Sequence, residues 1–150
     1  MQTIDIELSR VLPGPPDVVW DLLTDWEHQD DWMLEASDFV VTSDIREGVG
    51  VEAEATIRMG GLRTRDRVRV CVWEPPRRLG IDHLGWVSGT GMITLTALAD
   101  GSTRADWVES LRPPFGAVGA FGLRAYRPLL RRTFARDLRV LEGLVRARVR

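Results

Sequence analysis

The sequence predicts an α+β fold: an antiparallel sheet closed by one long C-terminal helix, with two short helices after the first strand. Three observations carry this expectation. Residues 3–10 alternate apolar and polar side chains at period two, residues 39–111 break into short apolar runs punctuated by glycine, proline and aspartate, and the pattern turns helical after Pro113-Pro114. The chain has 150 residues, 44% of them hydrophobic and 28% charged, which suits a single domain spanning 1–150. A chain this long hides roughly 70% of its unfolded surface, so a core can form without cross-links. The single Cys71 excludes an internal disulfide framework and a cysteine-rich metal site. No apolar run of about 18 residues is present to span a membrane, and the first residues alternate instead of forming a signal peptide; the expected compartment is the cytosol.

In the first strand Ile4, Ile6 and Leu8 share one side, and Asp5, Glu7 and Ser9 the other. Pro13-Gly14-Pro15-Pro16 ends it. Pro16 and Asp17 suit the first turn of a helix, where proline forfeits no hydrogen bond and an acid meets the dipole. Val19, Leu22, Leu23 and Trp26 follow at helical spacing, and a second short helix is expected over residues 27–33. Among the strands the clearest hairpin spans residues 51–72, turning at Gly60-Gly61, where glycine supplies the positive φ angles of a two-residue primed turn. That turn sets Glu54 opposite Arg67 and Glu52 opposite Arg69 on one face, with Ala53 opposite Val68 and Val51 opposite Val70 on the other. The series Arg63, Arg65, Arg67, Arg69 therefore reads as a salt-bridged outer face, and no nucleic-acid partner is expected. In the last helix Leu130, Phe134, Leu138, Leu141 and Val145 fall within an arc of about 80°, with Arg132, Arg136, Arg139, Arg146 and Arg150 opposite. Pro128 is expected to kink this helix or mark its true start.

Charge is unevenly spread. Residues 1–123 hold 20 acids and 11 arginines, residues 124–150 hold 2 acids and 9 arginines, and there is no lysine. Residues 1–35 alone carry 9 acids and 1 arginine, so the expectation is pairing of the first helices with the last one inside the molecule. Docking of the arginine stripe on an anionic membrane is the less favoured alternative.

Strand parity then places polar groups. Val68, Val70 and Val72 carry Asp66 inward, Leu79 and Ile81 carry His83, and Ala105 and Leu111 carry Trp107 and Glu109. Three ionisable groups on an apolar face are costly unless paired, wet or functional. His83 and Glu109 are the candidate acid–base pair. For Asp66 the plainer reading, a residue near the Gly60-Gly61 turn reaching solvent, is preferred. Ile93 and Leu95 face inward if the loop around Asp100-Gly101-Ser102 has three residues; a two-residue turn would point Met92, Thr94 and Thr96 inward instead. Trp20, Trp26 and Trp32 are expected to be core where the short helices meet the last one, Trp73 and Trp86 have outward parity, and Trp107 is the aromatic wall for a ligand. His28 beside Asp30 and Asp31 matches no metal-site spacing, no cofactor is predicted, and nothing marks Cys71 as a nucleophile.

Several local motifs point to one family. Residues 16–25, PDVVWDLLTD, resemble the first helix of the START-like (SRPBCC) superfamily in its polyketide cyclase/dehydrase and lipid-transport branch. The turn EPPRRL at 74–79, the hairpin GSTRADW at 101–107 and the closing-helix run DLRVLEGL at 137–144 are similar to elements of the same branch, in the same order. The resemblance implies a helix-grip fold, a curved antiparallel sheet of about six or seven strands wrapped around the long C-terminal helix, with a cavity between them for a small hydrophobic molecule. It implies no single reaction, because the superfamily includes carriers, cyclases, receptors and co-chaperones. The small inward residues Ala53, Ala55, Gly85 and Ala105, with Gly116, Gly119 and Gly122 recurring early in the last helix, leave space consistent with such a cavity. The expected lining is Ala53, Ala55, Asp66, Val70, His83, Ala105, Trp107, Glu109, Gly119 and Gly122. Three functions stay open: binding of a lipid or polyketide-like molecule, a cyclase or dehydrase using His83 and Glu109, and a protein-interaction module. Neither the ligand nor the oligomeric state can be read from the sequence.

Overall fold

The computed structural model describes residues 3–85 and 87–150. Trp86 lies outside the described residues. Seven antiparallel strands form one sheet, β1 (Ile4–Leu12), β2 (Ala36–Val41), β3 (Glu52–Met59), β4 (Leu62–Glu74), β5 (Arg78–His83), β6 (Ser88–Ala97) and β7 (Thr103–Arg112), in the spatial order β1-β7-β6-β5-β4-β3-β2. Helix α1 (Pro16–Leu23) and a 3-10 helix (Trp26–Asp31) follow β1, and α2 (Gly116–Arg148) closes the chain. This is the α+β, helix-grip arrangement that the sequence predicts.

Alternation builds the sheet. Ile4, Ile6 and Leu12 of β1 are buried while Asp5 and Glu7 are exposed, so one face meets the core and the other water. Gly60 and Gly61 take φ angles of +55° and +84°, and the β3–β4 register pairs Glu52 with Arg69 and Glu54 with Arg67, as the turn chemistry requires. Arg69 lies 3.9 Å from Glu52. Leu98 and Ser102 pair across a three-residue loop, and Ile93 and Leu95 are buried beside Trp107 and Ala105. The inward-apolar register therefore holds.

Parity fails at one place. The β4–β5 register shifts between Val70 and Val72, and the extra residue inverts the strand beyond it. Trp73, expected to face outward, instead packs edge-on against Trp20, with ring centroids 5.1 Å apart, and against Trp26 at 6.3 Å. These two tryptophans thus reach the core through the sheet, not only through the last helix.

Helix α2 buries Leu130, Phe134, Leu138, Leu141 and Val145, the apolar arc read from the sequence. Pro128 lies within it, twelve residues past Gly116, so it does not mark the helix start. Ahead of Pro128 the helix is packed only in part: Val118 is 81% and Phe121 77% exposed, whereas Leu123 and Tyr126 lie against the core. Between the first segment and α2, Arg136 reaches Glu35 at 3.8 Å, Arg10 of β1 pairs with Glu142 at 3.2 Å, and Arg131 donates to the Glu7 backbone carbonyl at 2.7 Å. No helix among the described residues is long and apolar enough to cross a membrane.

Candidate functional site

The inner face of the sheet carries an ionised trio. His83 sits near the end of β5, between Val68 of β4 and Gly89 of β6. Its Nδ1 lies 3.1 Å from Asp66 Oδ2 and its Nε2 lies 2.9 Å from Glu109 Oε2. Both partners are acceptors, so the ring satisfies both contacts only as an imidazolium donating from each nitrogen. Burial alone pushes the His83 pKa down, but the charge of Glu109 and the hydrogen bonds to Asp66 and Glu109 outweigh it and raise the pKa to about 10. The indole N–H of Trp107 donates to Glu109 Oε1 at 2.9 Å, so both carboxylate oxygens of Glu109 are engaged.

Glu109 reaches His83 over an intervening strand. β6 lies between β5 and β7, and the residue facing Glu109 on β6 is Gly91. A Cβ at Gly91 would stand 2.4 Å from Glu109 Oε1, so only glycine leaves the carboxylate its path. Gly85 leaves similar space beside Asp66, where a Cβ would stand 3.0 Å from Oδ1.

An aromatic layer adjoins the trio. The Trp107 ring lies 4.8 Å from Phe134 of α2 and 6.1 Å, edge-on, from Trp32. Beyond it is a second polar group that the sequence reading missed. Glu35, just ahead of β2, and Asp137 of α2 are both buried, and Arg136 approaches them at 3.8 and 3.9 Å. The Leu34 N–H donates to Asp137 Oδ1 at 3.3 Å. Burial raises both carboxyl pKa values, and the hydrogen bond and charge of Glu35 help carry Asp137 to about 9. The pair therefore retains a proton at neutral pH. Among the described residues Trp32 Nε1, Glu35 Oε1, Arg136 Nε and Asp137 Oδ2 are buried with no hydrogen-bond partner. A helical wheel holds the missed signal: Asp137 lies about 20° from Leu130, at the margin of the apolar arc, at 100° per residue.

The structure brings Asp66, His83, Trp107 and Glu109 together, and the plain reading of Asp66 as a solvent-reaching turn residue gives way to its bond with His83. Ala53, Ala55, Val70 and Ala105 are buried on the inner face. The two helix glycines stand apart. Gly122 is exposed, with no atom within 4 Å of a Cβ placed there, and a Cβ at Gly119 would collide with the Pro114 carbonyl oxygen, so Gly119 serves the close helix start. His28 is exposed and 3.0 Å from Asp25, which raises its pKa through a hydrogen bond and its charge. Among the described residues no group of three or more His, Cys, Asp or Glu side chains is arranged to hold a metal ion.

Two surface concavities are present, one of about 470 Å³ lined by Thr3, Ile4, Asp5, Arg124 and Arg127, the other of about 240 Å³ around Trp26, Arg46 and Trp73.

A seven-stranded antiparallel sheet gripping a long C-terminal helix, with polar groups set into an aromatic interior, defines the START-like class. Residues 3–146 match the family described as polyketide cyclase / dehydrase and lipid transport, and the chain belongs to that family. No curated protein sequence matches the chain. Solved structures share its fold. The Zhui aromatase/cyclase from Streptomyces sp. R1128 is 16% identical with a TM-score of 0.85, covering 99% of this chain and 97% of its own. A protein from Thermus thermophilus is 18% identical with a TM-score of 0.82, covering 96% and 98%. A START superfamily protein from Mycobacterium smegmatis is 12% identical with a TM-score of 0.79, covering 95% and 97%.

Proposed function

We propose that the protein binds a small, largely apolar molecule between the sheet and α2, against the Trp107 ring. The observation that carries this reading is a buried aromatic layer of Trp32, Trp107 and Phe134 in an interior that also holds buried polar groups, Glu109 with its imidazolium and the Glu35–Asp137 pair. A core built only for stability gains little from such groups, since each costs desolvation that apolar packing avoids.

A cyclase or dehydrase using His83 as a base has less in its favour. Both ring nitrogens are committed to carboxylates and the imidazole keeps its proton up to about pH 10, which leaves His83 as a positioning residue for Glu109. Titration with the uncharged fluorophore N-phenyl-1-naphthylamine tests the binding reading. The expected result is saturable, one-to-one fluorescence enhancement that weakens when Ala105→Leu fills inner space. A linear, unsaturable response would overturn it, and the interaction-module reading would then stand in its place.

A further inference from the structure

We infer that Glu35 and Asp137, with the indole N–H of Trp32 and Nε of Arg136, form the seat for a hydroxyl group of an uncharged ligand, and that this seat turns carboxylate ligands away. The inference rests on the binding reading above and names the chemical class that site selects. Two acceptor oxygens, Glu35 Oε1 and Asp137 Oδ2, and two donors, Trp32 Nε1 and Arg136 Nε, are buried without partners among the described residues. The donors matter most. A pair of carboxyls can satisfy each other by sharing a proton, but the Trp32 N–H, on a residue only 3% exposed, needs an acceptor that the neighbouring chain does not supply.

A hydroxyl both donates and accepts, so it meets donor and acceptor atoms together. A bare hydrocarbon meets neither. A carboxylate offers acceptors only, and would enter beside two carboxyls served by a single guanidinium that already lies 3.8 and 3.9 Å from them. The Glu109–Asp66 charges across the aromatic layer add to the repulsion. The Trp32 ring abuts Trp107, whose own N–H holds Glu109. A ring system lying along these tryptophans would place a substituent at the Glu35–Asp137 end.

Three ligands with one ring system separate these possibilities: naphthalene, 2-naphthol and 2-naphthoate, titrated at pH 7 by isothermal calorimetry. The expected order is 2-naphthol tighter than naphthalene by about tenfold, the worth of one good buried hydrogen bond, with 2-naphthoate weakest. In Asp137→Asn and in Trp32→Phe, which keeps the ring but loses the N–H, the naphthol-to-naphthalene ratio should fall toward one; thermal melts confirm that each variant folds. Equal binding of naphthol and naphthalene by the natural sequence would mean that water alone fills the seat and would overturn this inference while sparing the binding reading. Naphthoate binding as tightly as naphthol would overturn it as well. Failure of all three ligands to bind would overturn both.

Discussion

Glu109 is held by three neighbours of different kinds: the imidazolium of His83, the indole N–H of Trp107, and the missing side chain of Gly91. The third is the most fragile, because a methyl group at Gly91 would stand only 2.4 Å from Oε1 and force the carboxylate to shift. Gly91→Ala is therefore expected to displace the carboxylate, break its bond to His83 and cost about 1–3 kcal/mol, the range for stranding a buried polar group. Chemical denaturation measures the loss. Two-dimensional NMR of the His83 ring supplies the sharper check, since both Gly91→Ala and Glu109→Gln should lower its pKa from about 10 toward the ordinary value of 6.5. An unchanged His83 titration in both variants would show that Asp66 alone holds the proton.

The elements differ in how tightly they are tied down. In α2 the arc from Leu130 to Val145 is buried, and Leu141→Ala should cost about 2–5 kcal/mol, read by denaturant midpoint. The stretch over residues 116–122, with Val118 and Phe121 exposed, carries no fully buried residue. Hydrogen exchange should be faster there than over residues 130–145, and uniform protection along the helix would contradict a loosely held first stretch. The same contrast explains what could be read from the sequence. Period-two parity found Trp107 and Glu109 because β7 alternates strictly, and Asp66 and His83 because they lie on stretches of β4 and β5 whose register is unbroken, ahead of the shift between Val70 and Val72. It failed at Trp73, because a bulge adds a residue that no local pattern announces. Glu35 precedes a strand in an irregular segment with no period to place it, and the reach of Glu109 over Gly91 depends on strand order, a property of the whole sheet.

The acid–base groups also give the molecule as a whole a characteristic dependence on pH. His83 has a folded-state pKa of about 10 against 6.5 for the free side chain, so its stabilising contribution is complete below 6.5 and is lost as the pH climbs toward 10. Asp137 is raised from 3.8 to about 9 by burial and by Glu35, so the folded state holds a proton there that the unfolded chain releases. Its contribution likewise falls as pH rises, from about 4 to about 9. Glu35 shifts in the same direction. The slopes share a sign and overlap between about 6.5 and 9, each group adding at most about 1.4 kcal/mol per pH unit. Melting temperature is therefore expected to fall steadily across that window, whereas acid denaturation, which needs carboxylates held low in the folded state, should begin late. Asp137→Asn removes one titrating group and should flatten the slope, and Glu109→Gln should flatten it further by releasing His83. A melting temperature constant from pH 6.5 to 9 in the natural sequence would mean that these buried groups titrate as they do in the unfolded chain, and the proton assigned to the Glu35–Asp137 pair would have to be withdrawn.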